Sequence, residues 1–445
     1  MKSVRIGNGC GFWGDNLDAP IFLAKSGRLD YLTLEYLAEL TMSILALQRQ
    51  RDPKTGFAGD FLDVLQRLTP ILHEQPRLKI ITNAGGMNPL ACAQQARTIL
   101  DRASLSHLRI GVVSGDDLVP QFTSGLELNH LDNGESLQSQ RSRVVSANAY
   151  LGAKPIVEAL QMGASIVITG RVADASLTVA PAVHELGWDW NDFDKLSAGT
   201  VAGHLIECGA QMTGGLWCNW EETSLAEVGY PIAEIHEDGT MHVTKPESTS
   251  GVVNLETVSE QLLYEVADPA AYLTPDVIAD FTSVKLEFVG RDVVKISQSR
   301  GNAPTDRYKV SASYRVGFTA SGTLVIPGPR SVAKARAAGE MLLQRLRRIG
   351  FEYEASHIEC LGAGDCVPGV VSATYDPPEV VLRVAVRDPR RDAVERFTKE
   401  FAPLVTSGPP GVTGYTTGRP VVREVFAYWP SLVAKDVVVP EVVIV

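Results

Sequence analysis

A short strand that turns through glycines into a capped helix constrains the fold of this chain most. Residues 78–81 are apolar and β-branched, as in a buried strand, and residues 90–100 carry a helical pattern. Asn88 is placed to cap that helix, with Pro89 at its first position. Such a junction leaves backbone N–H groups free at a helix N-terminus, where phosphate or carboxylate binds. The junction therefore predicts a ligand-binding α/β protein.

Three further strands end in polar or glycine-rich turns, after residues 4–6, 108–113 and 164–168. They alternate with helical segments, which indicates βαβ units and an N-terminal, mostly parallel sheet flanked by helices. Ligands of such sheets bind beyond the carboxyl ends of the strands. The segment 34–49 is predicted to be one of the helices.

The chain changes character in its last third, where short alternating strands become frequent. From residue 308 onward the predicted order is β-α-β-β-α-β, the split βαβ arrangement of ferredoxin-like domains. The sequence thus predicts an α/β ligand-binding domain over residues 1–280. An α+β domain with ferredoxin-like order follows over residues 281–445.

Charge and composition exclude some classes of protein. Lysine and arginine number 41 against 52 acids, a net charge of −11 in 445 residues, which disfavours nucleic-acid binding. No apolar run approaches the roughly 20 residues of a membrane helix, and no signal peptide opens the chain. Six scattered cysteines indicate reduced thiols, so a cytoplasmic protein is expected. Zinc motifs and a complete GxGxxG are missing, which disfavours a metal centre and a nicotinamide-dependent oxidoreductase.

Most candidate substrate-binding residues are glycines and short polar side chains at the strand ends. Gln211, which follows the predicted catalytic residues His204 and Glu207, and Lys245 complete the set. Glycine allows a ligand to approach the backbone, and lysine would neutralise an acidic ligand. The alternative is that the turns serve packing alone. The set comprises Asn8, Gly9, Gly11, Asn83, Gly85, Gly86, Asn88, Thr169, Gly170, Gln211 and Lys245.

Four residues are the candidate catalytic set. His204 and Glu207 lie one turn apart on a predicted helix over residues 198–211, so they could act as acid and base. The alternative is a buried polar network at a helix contact. Arg171 and Asp174 follow a strand, where an arginine could fork onto a carboxylate or phosphate, or simply pair with the aspartate.

Several motifs along nearly the whole chain resemble the acyclic terpene utilisation (AtuA) family. They are residues 81–89, 167–174, 198–211, 229–233, 243–246, 260–266, 272–277 and 409–414. The resemblance implies breakdown of branched, terpene-derived acids as coenzyme A thioesters, with a lyase or hydratase step. Longer relatives carry a small ferredoxin-like domain at the C-terminus, which implies a separate small partner subunit for this chain.

Two functions from different classes follow. The first is an enzyme of branched-acid catabolism, a lyase or hydratase acting by acid–base chemistry on an anionic or acyl-coenzyme A substrate. In that case coenzyme A would enter as part of the substrate, and a homo-oligomer is expected. The alternative is a non-catalytic binding or scaffold subunit that acts with the small partner.

Overall fold

A computed structural model of the chain describes residues 1–372, 375–414 and 418–445. Its contacts separate two compact units, residues 1–313 with 428–445, and residues 314–427. The boundary predicted after residue 280 separates domains that would each fold alone. Contacts in the folded chain do not show whether a domain folds alone, so that boundary stays a prediction.

The strands are numbered along the chain. They are β1 (Ser3–Asn8), β2 (Tyr31–Leu34), β3 (Lys79–Thr82), β4 (Ile110–Ser114), β5 (Val144–Ala149), β6 (Ile166–Thr169), β7 (Ile232–His236), β8 (Met241–Thr244), β9 (Tyr272–Leu273), β10 (Ile278–Asp280), β11 (Lys285–Gly290), β12 (Val293–Ser297), β13 (Arg300–Asn302), β14 (Arg307–Pro327), β15 (Ala355–Leu361), β16 (Glu379–Asp388), β17 (Arg423–Ala434) and β18 (Glu441–Ile444).

The α-helices are numbered in the same way. They are α1 (Ala19–Ser26), α2 (Glu39–Arg51), α3 (Asp60–Glu74), α4 (Pro89–Arg102), α5 (Val119–Thr123), α6 (Lys154–Gln161), α7 (Ser176–Leu186), α8 (Phe193–Glu207), α9 (Leu255–Leu263), α10 (Ser331–Arg348), α11 (Arg391–Thr398) and α12 (Leu404–Ser407). No helix within the described ranges is long and apolar enough to cross a membrane.

The first unit is a mixed α/β structure with a large sheet flanked by helices. Ten strands follow the order β11-β12-β8-β7-β1-β2-β3-β6-β4-β18. The five strands from β1 to β4 in this order are parallel to their neighbours within the group. Helix α3 contacts α1 and α4, α7 contacts α6 and α8, and both groups of helices pack on the sheet.

The prediction of a mostly parallel sheet is wrong outside those five central strands. Strands β7, β8, β12 and β11 continue one edge in antiparallel pairs, and β18 joins the other edge antiparallel to β4. The physical reason is connection length, because β7 and β8 and likewise β11 and β12 are joined by short turns. A parallel pair needs a crossover of a dozen or more residues.

The second unit has the strand order β15-β16-β14-β17. Helix α10 lies between β14 and β15 in the chain, and α11 lies between β16 and β17. Buried apolar side chains of α10, α11, β15 and β16 share one core. The assignment of this α+β unit to the ferredoxin-like class stays a prediction.

Two predicted helices differ from the structure in ways that matter for the site. The segment 34–49 is not one helix, because Leu34 ends strand β2 and α2 begins at Glu39. Residues 31–34 are buried and pair with β1 on one side and β3 on the other, so sheet pairing takes Leu34 out of the predicted helix. The predicted helix 198–211 begins earlier and ends at Glu207, and Gln211 lies in a following 3₁₀ turn.

Candidate functional site

A cavity of about 600 Å³ lies in the first unit, lined by loops that follow the parallel strands β1, β2 and β6. Because the carboxyl ends of parallel strands share one edge of a sheet, loops distant in sequence meet there. Helix α8 and the turn after it supply further lining residues. Five predicted residues line this cavity, namely Gly11, Arg171, Asp174, Glu207 and Gln211.

The lining of the cavity is rich in carboxyl groups. Its six carboxyl groups belong to Asp15, Glu35, Glu39, Asp174, Glu207 and Glu265, whereas Arg171 is the lining cation. This balance disfavours a ligand whose charged anionic group enters the cavity, because like charges repel strongly where water is scarce. It suits a neutral polar group. The expected anionic substrate therefore stays a prediction, with its charge placed outside the cavity.

Large apolar side chains line the mouth. Phe12, Leu216, Leu225 and Tyr264 all border the cavity and are exposed, Leu216 by 85%. They come from the loop after β1, the segment between α8 and β7, and the end of α9. A group of exposed apolar side chains around one opening is typical of a binding site.

The predicted acid–base pair is formed, at the end of helix α8. His204 Nδ1 lies 3.1 Å from Glu207 Oε1. His204 Nε2 lies 2.9 Å from the carbonyl oxygen of Gln261, which can only accept, so Nε2 carries a hydrogen. The contact between Nδ1 and Oε1 then needs one more proton, which resides on the histidine or on the glutamate.

Burial sets the proton affinity of this pair. It raises the pKa of Glu207 to about 7, although the hydrogen bond from His204 opposes the shift. For His204 burial lowers the pKa, yet the hydrogen bond and charge of Glu207 outweigh it and the pKa is raised. The rings of Tyr272 and Phe281 lie 5.4 and 5.2 Å from the His204 ring and exclude water. Within the His204–Glu207 pair, Glu207 lines the cavity and His204 lies behind it.

Arg171 is held inside the wall of the cavity and is 2% exposed. Its Nη1 donates to the carbonyl oxygen of Leu37 at 2.8 Å and to Asp174 Oδ1 at 2.9 Å. Its guanidinium carbon lies 4.1 Å from the centroid of the Tyr150 ring. These are the contacts of a structural pair, and a direct role of Arg171 on a substrate stays a prediction.

Glu39 and Glu35 flank this arginine, but their pKa values are shifted in opposite directions. Glu39 accepts from the Tyr150 hydroxyl at 2.8 Å and lies 3.4 Å from Lys309 Nζ. Burial raises the pKa of Glu39, but the charges of Arg171 and Lys309 prevail and lower it to about 2. Burial, followed by the charge of Asp174, raises the pKa of Glu35 well above its usual range.

The asparagines of the predicted binding set make contacts within the protein. Asn8 donates to the carbonyl oxygens of Ile206 (2.8 Å) and Glu207 (2.9 Å), and so caps the end of α8. Asn83 accepts from the Tyr36 backbone N–H at 2.8 Å and donates to Glu35. Asn8 thus positions the end of α8 that carries Glu207, Asn83 positions Glu35, and neither asparagine lines the cavity itself.

Asn88 caps α4 as predicted, accepting from the Ala91 N–H. Its amide donates to the carbonyl oxygens of Pro53 and Thr55, at 2.8 and 2.9 Å. Its polar atoms therefore join the helix to a neighbouring loop. Asn88 does not line the cavity, and its role in ligand binding stays a prediction.

Most predicted glycines serve close packing at the strand ends. A Cβ on Gly9 would lie 2.8 Å from Pro20 Cα, and one on Gly85 would meet the Thr169 carbonyl oxygen and Pro89. Gly86 has a φ of 50°, a conformation that favours glycine. Gly170 lies against Asp116, and the Thr169 hydroxyl donates to the Gly170 carbonyl at 2.8 Å.

Lys245 lies apart from the acidic cavity, on a second cavity of about 820 Å³ in the first unit. Its Nζ donates to the carbonyl oxygen of Thr249 at 2.9 Å and lies 3.2 Å from Asp292 Oδ2. The two cavities share no lining residue. Lys245 is therefore not brought together with the other candidates.

Sequence reasoning found Glu207 but missed the other three glutamates that line the cavity, Glu35, Glu39 and Glu265. Glu35 had a signal, because an acid directly after a buried strand and before Tyr36-Leu37 is unusual. Glu265 and Tyr230, whose phenol donates to Asp15 at 2.6 Å, had only the signal that they lie in the family motifs 260–266 and 229–233. Cys208 also lines the cavity, but burial raises the pKa of its thiol to about 12, which disfavours a nucleophilic thiolate. The described residues contain no cluster of three or more His, Cys, Asp or Glu that could hold a metal ion.

Comparison with known proteins gives one match. The model of the family described as acyclic terpene utilisation family protein AtuA matches residues 4–444. No curated protein and no solved structure matches the chain.

Proposed function

The chain belongs to the acyclic terpene utilisation (AtuA) family, and from this premise we propose that it is an enzyme acting on branched acyl-coenzyme A thioesters. The reaction is a lyase or hydratase step driven by acid–base chemistry. The neutral acyl part enters the acidic cavity between the apolar residues of the mouth, and the anionic coenzyme A part stays outside. The cavity volume of about 600 Å³ falls within the usual range for small-molecule sites.

One observation carries this proposal: the His204–Glu207 pair holds a proton next to the cavity. Glu207 has a pKa of about 7 because it is buried, so it can give or take a proton at neutral pH. His204 is fixed through Nε2, which leaves Nδ1 to exchange the proton with Glu207. In a lyase or hydratase step that proton moves to or from a carbon or hydroxyl of the acyl chain.

The experiment is a turnover assay of purified protein with a panel of branched and hydroxylated acyl-coenzyme A thioesters, read by mass spectrometry of the thioester products. We expect Glu207→Gln to lower kcat by about 10²–10⁴-fold, the usual contribution of a general acid or base. Glu354→Gln, at an exposed ion pair with Arg387 in the second unit, is the matched control and should keep full turnover.

Full turnover by a folded Glu207→Gln variant would remove the acid–base role. The scaffold alternative makes a different forecast, because it expects no turnover by this chain alone and turnover only after a small partner subunit is added. The same assay with and without candidate partner proteins distinguishes the two.

A further inference from the structure

Glu35 presents one carboxyl oxygen that the protein leaves without a partner. The residue follows β2, is 4% exposed and lines the acidic cavity. Its Oε1 accepts from the Leu37 N–H at 2.9 Å and from the side-chain amide of Asn83. Its Oε2 is buried and has no hydrogen-bond partner among the residues that the structure describes. One oxygen is therefore fixed, while the other lacks a contact.

The charges around Glu35 determine its protonation. Arg171 Nη1 lies 2.9 Å from Asp174 and 3.9 Å from Glu35. The side chain of Asp174 is 36% exposed and that of Glu35 is 5% exposed. The single guanidinium of Arg171 does not neutralise both carboxylates. The proton therefore goes to Glu35, because its carboxyl group is less exposed to solvent and farther from Arg171 than that of Asp174.

The proton of a neutral Glu35 belongs on Oε2. Its Oε1 already accepts two N–H groups, so a proton there would displace a donor. The Oε2–H group is then a buried donor without an acceptor, which is unfavourable in a protein interior. Glu35 lines the cavity while Oε2 itself is covered, so a small shift of the side chain would bring Oε2–H against an oxygen atom of a ligand there and remove that cost.

We propose that Glu35 is a neutral hydrogen-bond donor to the carbonyl oxygen of the bound thioester. This rests on the proposed function and adds a second role to the same site. When the carbon next to the carbonyl loses a proton or a carbon substituent, negative charge grows on the carbonyl oxygen. The Oε2–H group of Glu35 stabilises that charge and keeps its proton, while the His204–Glu207 pair carries the proton that moves.

Infrared difference spectroscopy between wild type and Glu35→Gln tests the protonation directly at neutral pH. We expect a carboxylic acid C=O band in the wild type that is missing from the variant. Saturating isovaleryl-coenzyme A should move this band, because the acid then donates to the thioester, whereas coenzyme A alone should leave it in place. Glu207, whose pKa is about 7, contributes a carboxylic acid band of its own in both proteins, so the readout is the band that wild type has and Glu35→Gln lacks. The absence of such a difference, or a difference band that the thioester leaves unmoved, overturns the proposal.

Two variants at this position separate a donor from a base. Gln keeps an acceptor for Leu37 and Asn83 and puts an N–H donor where Oε2 was, so Glu35→Gln should lower kcat by no more than about tenfold. Glu35→Ala removes the donor and should lower kcat by about 10²–10³-fold. Equal losses in both variants would mean that Glu35 acts as a carboxylate and would overturn the donor role.

The outcomes distinguish this inference from the proposed function. If isovaleryl-coenzyme A does not bind to the wild type by calorimetry, the proposed function fails for this substrate class and the ligand named for Glu35 fails with it. If the thioester binds and is turned over while the infrared band stays in place, the proposed function stands and the role of Glu35 is wrong.

Discussion

At the scale of single residues, the cavity contains carboxyl groups in three different states. Glu39 is ionised because a lysine and an arginine surround it, while Glu207 has a pKa of about 7 through burial. Glu35 has a pKa raised well above its usual range. The pKa of the same side-chain type is thus lowered at one position and raised at two, and the neighbours of each carboxyl decide the direction.

Asp116 gives a residue-scale prediction on stability. It accepts from the Asn148 side chain at 2.8 Å and from the Arg171 N–H at 2.9 Å, both at Oδ2, and burial raises its pKa to about 6. Its folded-state pKa lies above the unfolded value. The stability that it contributes is therefore fully present below about pH 4 and is lost as the pH rises through about 6.

Asp116→Asn should remove this dependence, since an amide stays neutral and its oxygen can keep both donors. Relative to wild type, the free energy of unfolding of the variant should rise by about 2 kcal/mol between about pH 4.5 and about pH 7.5. Urea denaturation of both proteins at the two pH values measures it. A difference between them that does not change with pH would contradict the prediction.

At the scale of elements, the contact between α8 and the residues before α7 assembles the site. Gly203 of α8 lies against Ala175, which precedes α7 in the loop that carries Arg171 and Asp174. Because Gly203 has no side chain, α8 approaches this loop closely enough for Glu207 to line the same cavity as Asp174. Asn8 then holds the end of the helix from β1.

Gly203→Ala and Gly199→Ala form a matched pair on this helix. A Cβ at Gly203 would lie 2.6 Å from the backbone Cα of Ala175, so we expect a loss of about 1–3 kcal/mol in the free energy of unfolding. At Gly199 the nearest atom is a side-chain carbon of Trp188 at 3.3 Å. Here the gain in helix propensity, about 0.5–1 kcal/mol, offsets the tight contact.

Chemical denaturation of both alanine variants beside wild type provides the measurement. The prediction fails if the two substitutions change stability equally, because the helix propensity term is common to both and only the packing differs.

At the scale of the whole molecule, the first unit contains both early and late parts of the chain. Residues 428–445 belong to the same unit as residues 1–313. Within it, β18 pairs with β4 at the edge of the ten-stranded sheet. Gly115, with a φ of 97°, makes room there, since a Cβ would collide with the Val439 carbonyl oxygen.

Deletion of residues 439–445 should expose the edge of β4. We expect a loss of about 2–4 kcal/mol in stability, from the backbone hydrogen bonds of a four-residue ladder. The exposed edge should also promote self-association. Thermal unfolding and light scattering of the truncated and full chains give both readouts, and an unchanged midpoint with an unchanged mass would contradict the role given to β18.

The sequence allowed prediction of the family, the mixed α/β class and the junction at Asn88, because each depends on residues adjacent in the chain. It also allowed prediction of the His204–Glu207 contact, since helical spacing alone places those side chains together. The antiparallel edges and the actual extent of α2 were missed. Sheet pairing with distant strands decided both, and local periodicity carries no information about such partners.

What the sequence determined by itself is therefore the local structure and the kind of residue available at each strand end. Only the tertiary structure decided which of those residues share a cavity, which are used up as caps or structural pairs, and what charge each carboxyl holds. The physical reason is that burial and electrostatic neighbours act through space, so Glu35, Arg171 and Glu207 acquire their properties from segments far away in the chain.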